Sequence, residues 1–331
     1  MAFLNTVGID LSKKTFDVMI YDIQLHRQFQ NTSRGFKQLI KWVEKNTNGS
    51  LEEILFCCEH TGIYSLRLAL FMVQKEISLT MVSGLAIKKS MGLKRGKTDK
   101  IDSKMIAEYA YEKKHKLPLY QHPGPTIIKL QQLMTLRKRC VRQRAGFLAA
   151  IKEYSLVLVK KDNAVLFNTQ EKIVKELTKQ IKAVEAEIKL LINEDKVLKR
   201  KYDLILSIKG VGPVIGVNMI VYTAGFTKFE TWRQFACYIG TAPFKFESGT
   251  SVKFKARLHY LGQRKLKSLI HMGASSAIQS DPELRLYYQK RIAEGKSKMS
   301  TLNIIRNKLL SRIFAVVRND KEYVVTHKYA A

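Results

Sequence analysis

At 331 residues the chain has room for two domains, and its 46% hydrophobic content is ample for packed cores. The charge is lopsided: 58 Lys and Arg stand against 28 Asp and Glu, a formal +30. That excess predicts a polyanionic partner. Nucleic acid is favoured over a membrane surface because the basic residues are spread along the chain rather than gathered on one amphipathic segment. Cys57, Cys58, Cys140 and Cys237 show no CxxC spacing, which argues against a zinc knuckle or a disulfide framework. The opening MAFLNTVGIDLSKK lacks the layout of a signal peptide. The most apolar stretch, 204–224, is interrupted by Lys209, Pro213 and Asn218, which argues against a membrane helix.

Residues 1–117 predict an α/β domain. VGIDLSKKTFDVMIYD reads as two short strands around a turn, and GFKQLIKWVEKN as an amphipathic helix. ILFCCE follows as a buried strand closing on an acid, IYSLRLALFMVQKE as a helix, ISLTMVS as a strand and DSKMIAEYAYEKK as a third helix. Strands alternating with helices argue for a mostly parallel sheet covered by helices. Residues 118–201 read as a linker and coiled-coil helices. LPLYQHPGPT holds three of the six prolines, and two heptad series follow it. One runs Leu130, Leu133, Arg137, Cys140, Arg144, Phe147, Ile151, Tyr154, Leu158; the other runs Val174, Leu177, Ile181, Val184, Ile188, Leu191, Asp195, Leu198. The spacing suits pairing within one chain or between subunits.

Residues 202–331 predict a mainly α domain. LSIKGVGPVIGVNMI has the form of a helix-hairpin-helix, in which Gly210 and Gly212 let backbone N–H groups approach a phosphate; a tight helix–helix turn is the alternative. No acid occurs between Glu247 and Asp281, whereas Lys253, Lys255, Arg257, Arg264, Lys265 and Lys267 all do. With Phe254 and Tyr260 interleaved, this run predicts a surface that tracks phosphates.

Four acids stand out. Asp10 closes the apolar run VGID and Glu59 closes ILFCCE, and parallel strands bring such ends to one edge of the sheet. Asp99 and Asp102, in KTDKIDSKMIAEY, share one face at a helix start, where like charges repel. Capping by Asp99 and a favourable helix dipole are the plain alternative. If that helix packs at the strand ends, four carboxylates converge, and Mg²⁺ ions held between them would serve phosphodiester chemistry. Asp17 is a decoy of the same type. The run KKSMGLKRGK (Lys88, Lys89, Lys94, Arg95, Lys97) would hold phosphates beside the site. Ser248-Gly249, in GTAPFKFESG, reads as a turn. A serine hydroxyl needs activation, and no base lies near in sequence, although Lys245, Lys253 and Lys255 suit a phosphorane oxygen.

GIDLSKKTFD, the acid in CCEHTGIY, KTDKIDSKMIAEY, IKGVGPVIG and the GTAPFKFESG block resemble, in order and spacing, the DEDD transposases of the insertion sequence 110 family, relatives of Piv-type DNA invertases. The resemblance covers nearly the whole chain. It implies an RNase H-like (RuvC-like) N-terminal domain in which Asp10, Glu59, Asp99 and Asp102 are catalytic and hold Mg²⁺. It also implies a C-terminal transposase domain in which Ser248 is a nucleophile linking covalently to DNA. The implied partners are DNA at element ends and target, a structured guide ("bridge") RNA and further copies of the chain, from dimer to tetramer; the implied place is the bacterial cytoplasm, at the nucleoid. Glu247 departs from the small polar residue that often precedes this serine. The expected function is site-specific excision and insertion of a mobile element. A RuvC-like nuclease without a serine intermediate and a non-catalytic coiled-coil binding protein are the rivals.

Overall fold

β1 (Asn5–Leu11) is largely buried on both faces because it lies at the centre of a sheet. The computed structural model describes residues 3–60, 62–91, 98–248, 252–258 and 261–324. They fall into two units, Met1–His122 and Pro123–Ala331. In the first, β2 (Thr15–Ile20), β3 (Leu25–Gln30), β4 (Ile54–Glu59) and β5 (Leu79–Val82) join β1 in the order β3-β2-β1-β4-β5. The pairings β1–β2 and β2–β3 are antiparallel; β1–β4 and β4–β5 are parallel. The sheet is therefore mixed rather than mostly parallel. The strand that tips the balance, β3, is an edge strand whose LHRQFQ buries only Phe29 and carries no apolar run to announce it.

Each face of the sheet has its own cover. Val7 and Ile9 of β1 and Phe56 and Cys58 of β4 pack with Phe36, Leu39 and Val43 of α1 (Ser33–Asn46) and Leu68 and Met72 of α2 (Ile63–Gln74). On the other face Cys57 and Val82 pack with Ile87 of α3 (Gly84–Met91) and Ile106 and Tyr109 of α4 (Asp99–Lys113). The α4 backbone comes so close to β1 that a Cβ at Gly8 would lie 2.2 Å from Ala107 N and 2.3 Å from Ser103 O. Thr6 Oγ1 donates to Ala107 O at 3.5 Å. Going from Thr6 to Gly8 along β1 is thus going backwards along α4, and the next residue on that face, Asp10, meets the start of the helix.

The second unit begins with α5 (Pro125–Tyr154) and α6 (Ala164–Glu194), which pair antiparallel within the chain. Lys129 meets Glu187 at 2.8 Å and Arg137 meets Glu185 at 2.7 Å. Positions of the two heptad series, from Leu130 to Phe147 and from Val174 to Leu191, are the less exposed ones. Most stay half exposed because a two-helix pair covers only one side of each helix. Four members depart. Tyr154 is exposed, Leu158 lies past the end of α5, and Asp195 separates α6 from α7 (Lys196–Leu206), which holds Leu198. The Asp195 carboxylate caps α7, accepting from the Val197 and Leu198 N–H groups at 3.0 Å each. Its place in a heptad is a helix stop, as an Asp at an N-cap dictates.

α7, α8 (Pro213–Tyr222), α9 (Trp232–Ile239), α10 (Arg264–Ser280), α11 (Pro282–Ala293) and α12 (Lys298–Asn319) share one core that includes Leu204, Ile220, Phe235, Ile270, Leu284 and Leu309. Between α7 and α8, Gly210 has φ +86°, and a Cβ there would lie 2.5 Å from that of Ala277 on α10. Packing demands this glycine; around Gly212 the space is open. β6 (Pro243–Ser248) and β7 (Val252–Leu258) pair antiparallel where the sequence pattern predicts only a turn. Among the described residues no helix is long and apolar enough to cross a membrane.

Candidate carboxylate site and nucleic-acid interface

Ile9 and Cys58 lie opposite one another in the parallel register of β1 and β4. The residues that follow, Asp10 and Glu59, therefore end neighbouring strands side by side. Strand alternation puts Asp10 with Gly8 and Glu59 with Cys57, on the face covered by α3 and α4. α4 begins there with Asp99 and Asp102 in its first turn. Its cap is Thr98, whose Oγ1 accepts from the Ile101 N–H at 3.3 Å. Asp99 is thus not the capping residue, although both acids sit in the first turn, where the helix dipole favours them.

Asp10 senses the whole group. Burial first, and then the carboxylates of Asp102, Asp99, Glu59 and Asp17 in falling order, push its carboxyl from 3.8 up to about 6. Acids from β4 and α4 therefore act together on Asp10 of β1. Among the described residues no group of three or more His, Cys, Asp or Glu is arranged to hold a metal ion. As a donor set, four carboxylates suit a hard cation such as Mg²⁺.

Asp17 pairs in register with Asp10 across β1 and β2. Its carboxylate is already engaged: His26 Nε2 lies 2.8 Å from Oδ1, and Gln28 Nε2 donates to Oδ2 at 2.9 Å.

Gly84 carries no signal in the sequence, yet it seats Glu59. A Cβ there would fall 2.0 Å from Glu59 Oε1. The end of a Glu side chain can yield, so Gly84→Ala is expected to keep the melting temperature while displacing the carboxylate. A shift on the order of 1 Å costs about 10²-fold in rate. Strand-cleavage rates and thermal melts of the two proteins check this, and an unchanged rate would detach Glu59 from the chemistry.

Of the basic residues, Lys88 and Lys89 are exposed on α3. Lys94, Arg95 and Lys97 lie outside the described residues, as do Gly249 and Tyr260. Ser248 is the last residue of β6, in register with Val252. Its side chain and those of Lys245, Lys253 and Lys255 are outside what is described. Arg257, Arg264 and Lys265 are exposed, and Lys267 is half-buried. A cation absent from the sequence reading joins them: Lys138 of α5 stands by Lys265, and burial, then Lys265 and Arg142, push its pKa down. Ammonium groups held together invite phosphate. Replacing Lys138, Arg264 and Lys265 by Gln is expected to flatten the slope of log affinity against log salt by about 2 to 3, at roughly 0.7–0.9 per contact. DNA-binding titrations across salt concentrations measure it; an unchanged slope would make the cluster a solvated face.

With the geometry in place, comparison with known proteins assigns the class. The DEDD-type IS110 model, described as Transposase, matches residues 7–154, and the model described as Transposase IS116/IS110/IS902 family matches residues 202–289. The pilin gene-inverting protein of Moraxella bovis is 26% identical over 323 residues, covering 96% of this chain and 97% of that protein. The protein of that name from Moraxella lacunata matches to the same extent. The insertion element IS110 uncharacterized 43.6 kDa protein of Streptomyces coelicolor is 29% identical over 144 residues, 44% of this chain and 34% of that protein. These matches make the chain a DNA transposase or recombinase. It belongs to the insertion sequence 110 family of transposases.

Proposed function

We propose that the protein is a site-specific recombinase that excises and inserts a mobile DNA element by cutting and rejoining strands. The observation that carries this reading is the placement of Asp10 and Glu59 at the ends of neighbouring parallel strands, with Asp99 and Asp102 in the first turn of α4 acting on Asp10. The net charge of +30 supports a phosphate-rich substrate. So does the likeness, along nearly the whole chain, to proteins named for inverting a pilin gene, since inversion requires both cleavage and rejoining.

In this reading the first unit, Met1–His122, is a RuvC-like, RNase H-like domain. Asp10, Glu59, Asp99 and Asp102 would hold Mg²⁺. Bound there, Mg²⁺ would offset the negative charge that builds on phosphate oxygens. Ser248 supplies the nucleophile. Its Oγ forms an ester bond to phosphorus as the bond from phosphorus to a deoxyribose oxygen breaks; the serine proton is released and the sugar oxygen takes one up. Attack by a deoxyribose hydroxyl on the phosphoserine reverses the exchange and reseals the strand, so the bond energy is conserved. A structured guide RNA selects the site by base pairing, leaving the protein to contact mainly backbone. Subunits assemble as a dimer to tetramer, with the paired helices of residues 118–201 as the joining element.

The test is an assay with purified protein, Mg²⁺, the RNA transcribed from beside the gene and a plasmid carrying the element ends. Resealed circle and resealed donor are expected. Cut but unsealed products would support the nuclease, and binding without cutting would support the non-catalytic protein.

A further inference from the structure

Two arginines of α12, six residues apart, are treated differently. Arg312 donates to Asp281 Oδ2 and to Glu283 Oε2, both at 2.7 Å, so its charge is matched. Arg306 is only 5% exposed and meets no carboxylate among the described residues. Its Nη2 donates to His271 Nδ1 at 2.7 Å and its Nη1 to Asn303 Oδ1 at 3.3 Å, while Nε is buried with no partner. Lys267, one turn before His271 on α10, adds a second positive charge. Burial and then Arg306 push the pKa values of both Lys267 and His271 down. An unpaired buried cation is costly, and here two cations share the place. Cations gathered so closely favour an anion between them.

The donors define which one. With Nδ1 accepting from arginine, His271 carries its proton on Nε2, a donor with no acceptor among the described residues. That N–H, the Arg306 Nε–H and the Lys267 ammonium offer hydrogens only, which suits a group with several charged oxygens. The surroundings supply the context. Asn303 and Asn307 each donate through Nδ2 to Thr241 O, at 2.9 and 3.0 Å, and Thr241 lies just before β6. The cluster therefore sits at the root of the β6–β7 hairpin, and Ser248 ends β6 roughly 17 Å further on at ~3.3 Å per residue.

We infer that Arg306, Lys267 and His271 form a pocket for one backbone phosphate of the DNA strand, some distance from the phosphate that reacts. The choice of DNA rests on the recombinase reading; the pocket itself does not. It anchors the strand at the root of the hairpin whose end carries the nucleophile.

The experiment uses the full chain labelled with ¹⁵N at arginine and titrated with inorganic phosphate at constant ionic strength. The Arg306 Nε–H signal is assigned by its loss in Arg306→Lys. A saturable shift of that signal is expected, with the affinity falling about ten-fold or more in Lys267→Gln, the loss of one charge-assisted hydrogen bond. A short DNA duplex should reproduce the shift. An Arg306 signal that phosphate leaves in place, or a titration that Lys267→Gln does not weaken, would overturn the pocket. A shift produced by an RNA oligonucleotide and not by DNA would overturn the assignment to DNA. Because no strand is cut in these measurements, a protein that shows the shift yet fails to recombine supports the pocket and counts against the recombinase reading alone.

Discussion

Asp10→Asn is expected to lose strand cleavage on the order of 10³-fold while melting at a higher temperature than wild type at pH 7 without divalent cation. The first effect follows from removing a carboxylate from the centre of the proposed metal-binding group, where the several kcal/mol of charge stabilisation at stake correspond to about that factor. The second follows from the raised carboxyl. Asp10 titrates at about 6 when folded against an ordinary 3.8, so the folded protein binds this proton more tightly than the unfolded chain. Below pH about 4 both states are protonated and the variant gains little. As pH climbs from about 4 to 6 the unfolded chain releases its proton first, and wild type loses stability. Above 6 the loss is complete and the neutral Asn holds its advantage. Adding Mg²⁺ should then raise the melting temperature of wild type and leave that of Asp10→Asn nearly unchanged. Thermal melts at pH 4 and pH 7, with Mg²⁺ or EDTA, are the measurement. A variant that melts below wild type at pH 7 in EDTA would show that Asp10 is not held against its neighbours, and full cleavage would remove it from the site.

The placement of Asp10 and Glu59 is legible in the sequence because each ends a short apolar run, and buried parallel strands are the elements that look that way. The start of α4 is legible from KTDKID, although its cap is Thr98 rather than an acid. Other parts carried weaker marks. β3 is a polar edge strand. The β6–β7 hairpin alternates in FKFES and VKFKARL, but its lysines and phenylalanines read more readily as a binding surface than as a strand period. Gly84 and Glu59 are separated by twenty-five positions, and nothing local links a glycine to a distant carboxylate. The same holds for His271 and Arg306, which meet only because α10 packs on α12. Asp195 did carry its mark. An Asp breaking a heptad series is better read as the start of the next helix than as a polar core residue.

Ser248→Ala is expected to abolish recombination and with it any covalent protein–DNA species. When rejoining is blocked by a nicked or mismatched substrate, wild type should leave protein attached to labelled DNA on a denaturing gel, with the modified peptide containing Ser248. The variant should show neither adduct nor product and still fold, because Ser248 is the last residue of β6 and the change removes one hydroxyl. The size of the effect separates two mechanisms. A nucleophile lost from a covalent route stops the reaction, since water attack gives a cut end with no stored bond to reseal. A hydrolytic nuclease that directs water with its carboxylates would instead cut as before, without an adduct, in both proteins. Asp102→Ala supplies the control from the other unit: loss of cleavage there alongside Ser248→Ala would mean that both units serve one reaction. Adduct on Tyr238 would keep the recombinase and move the nucleophile to α9. Efficient recombination by Ser248→Ala would reject the serine route.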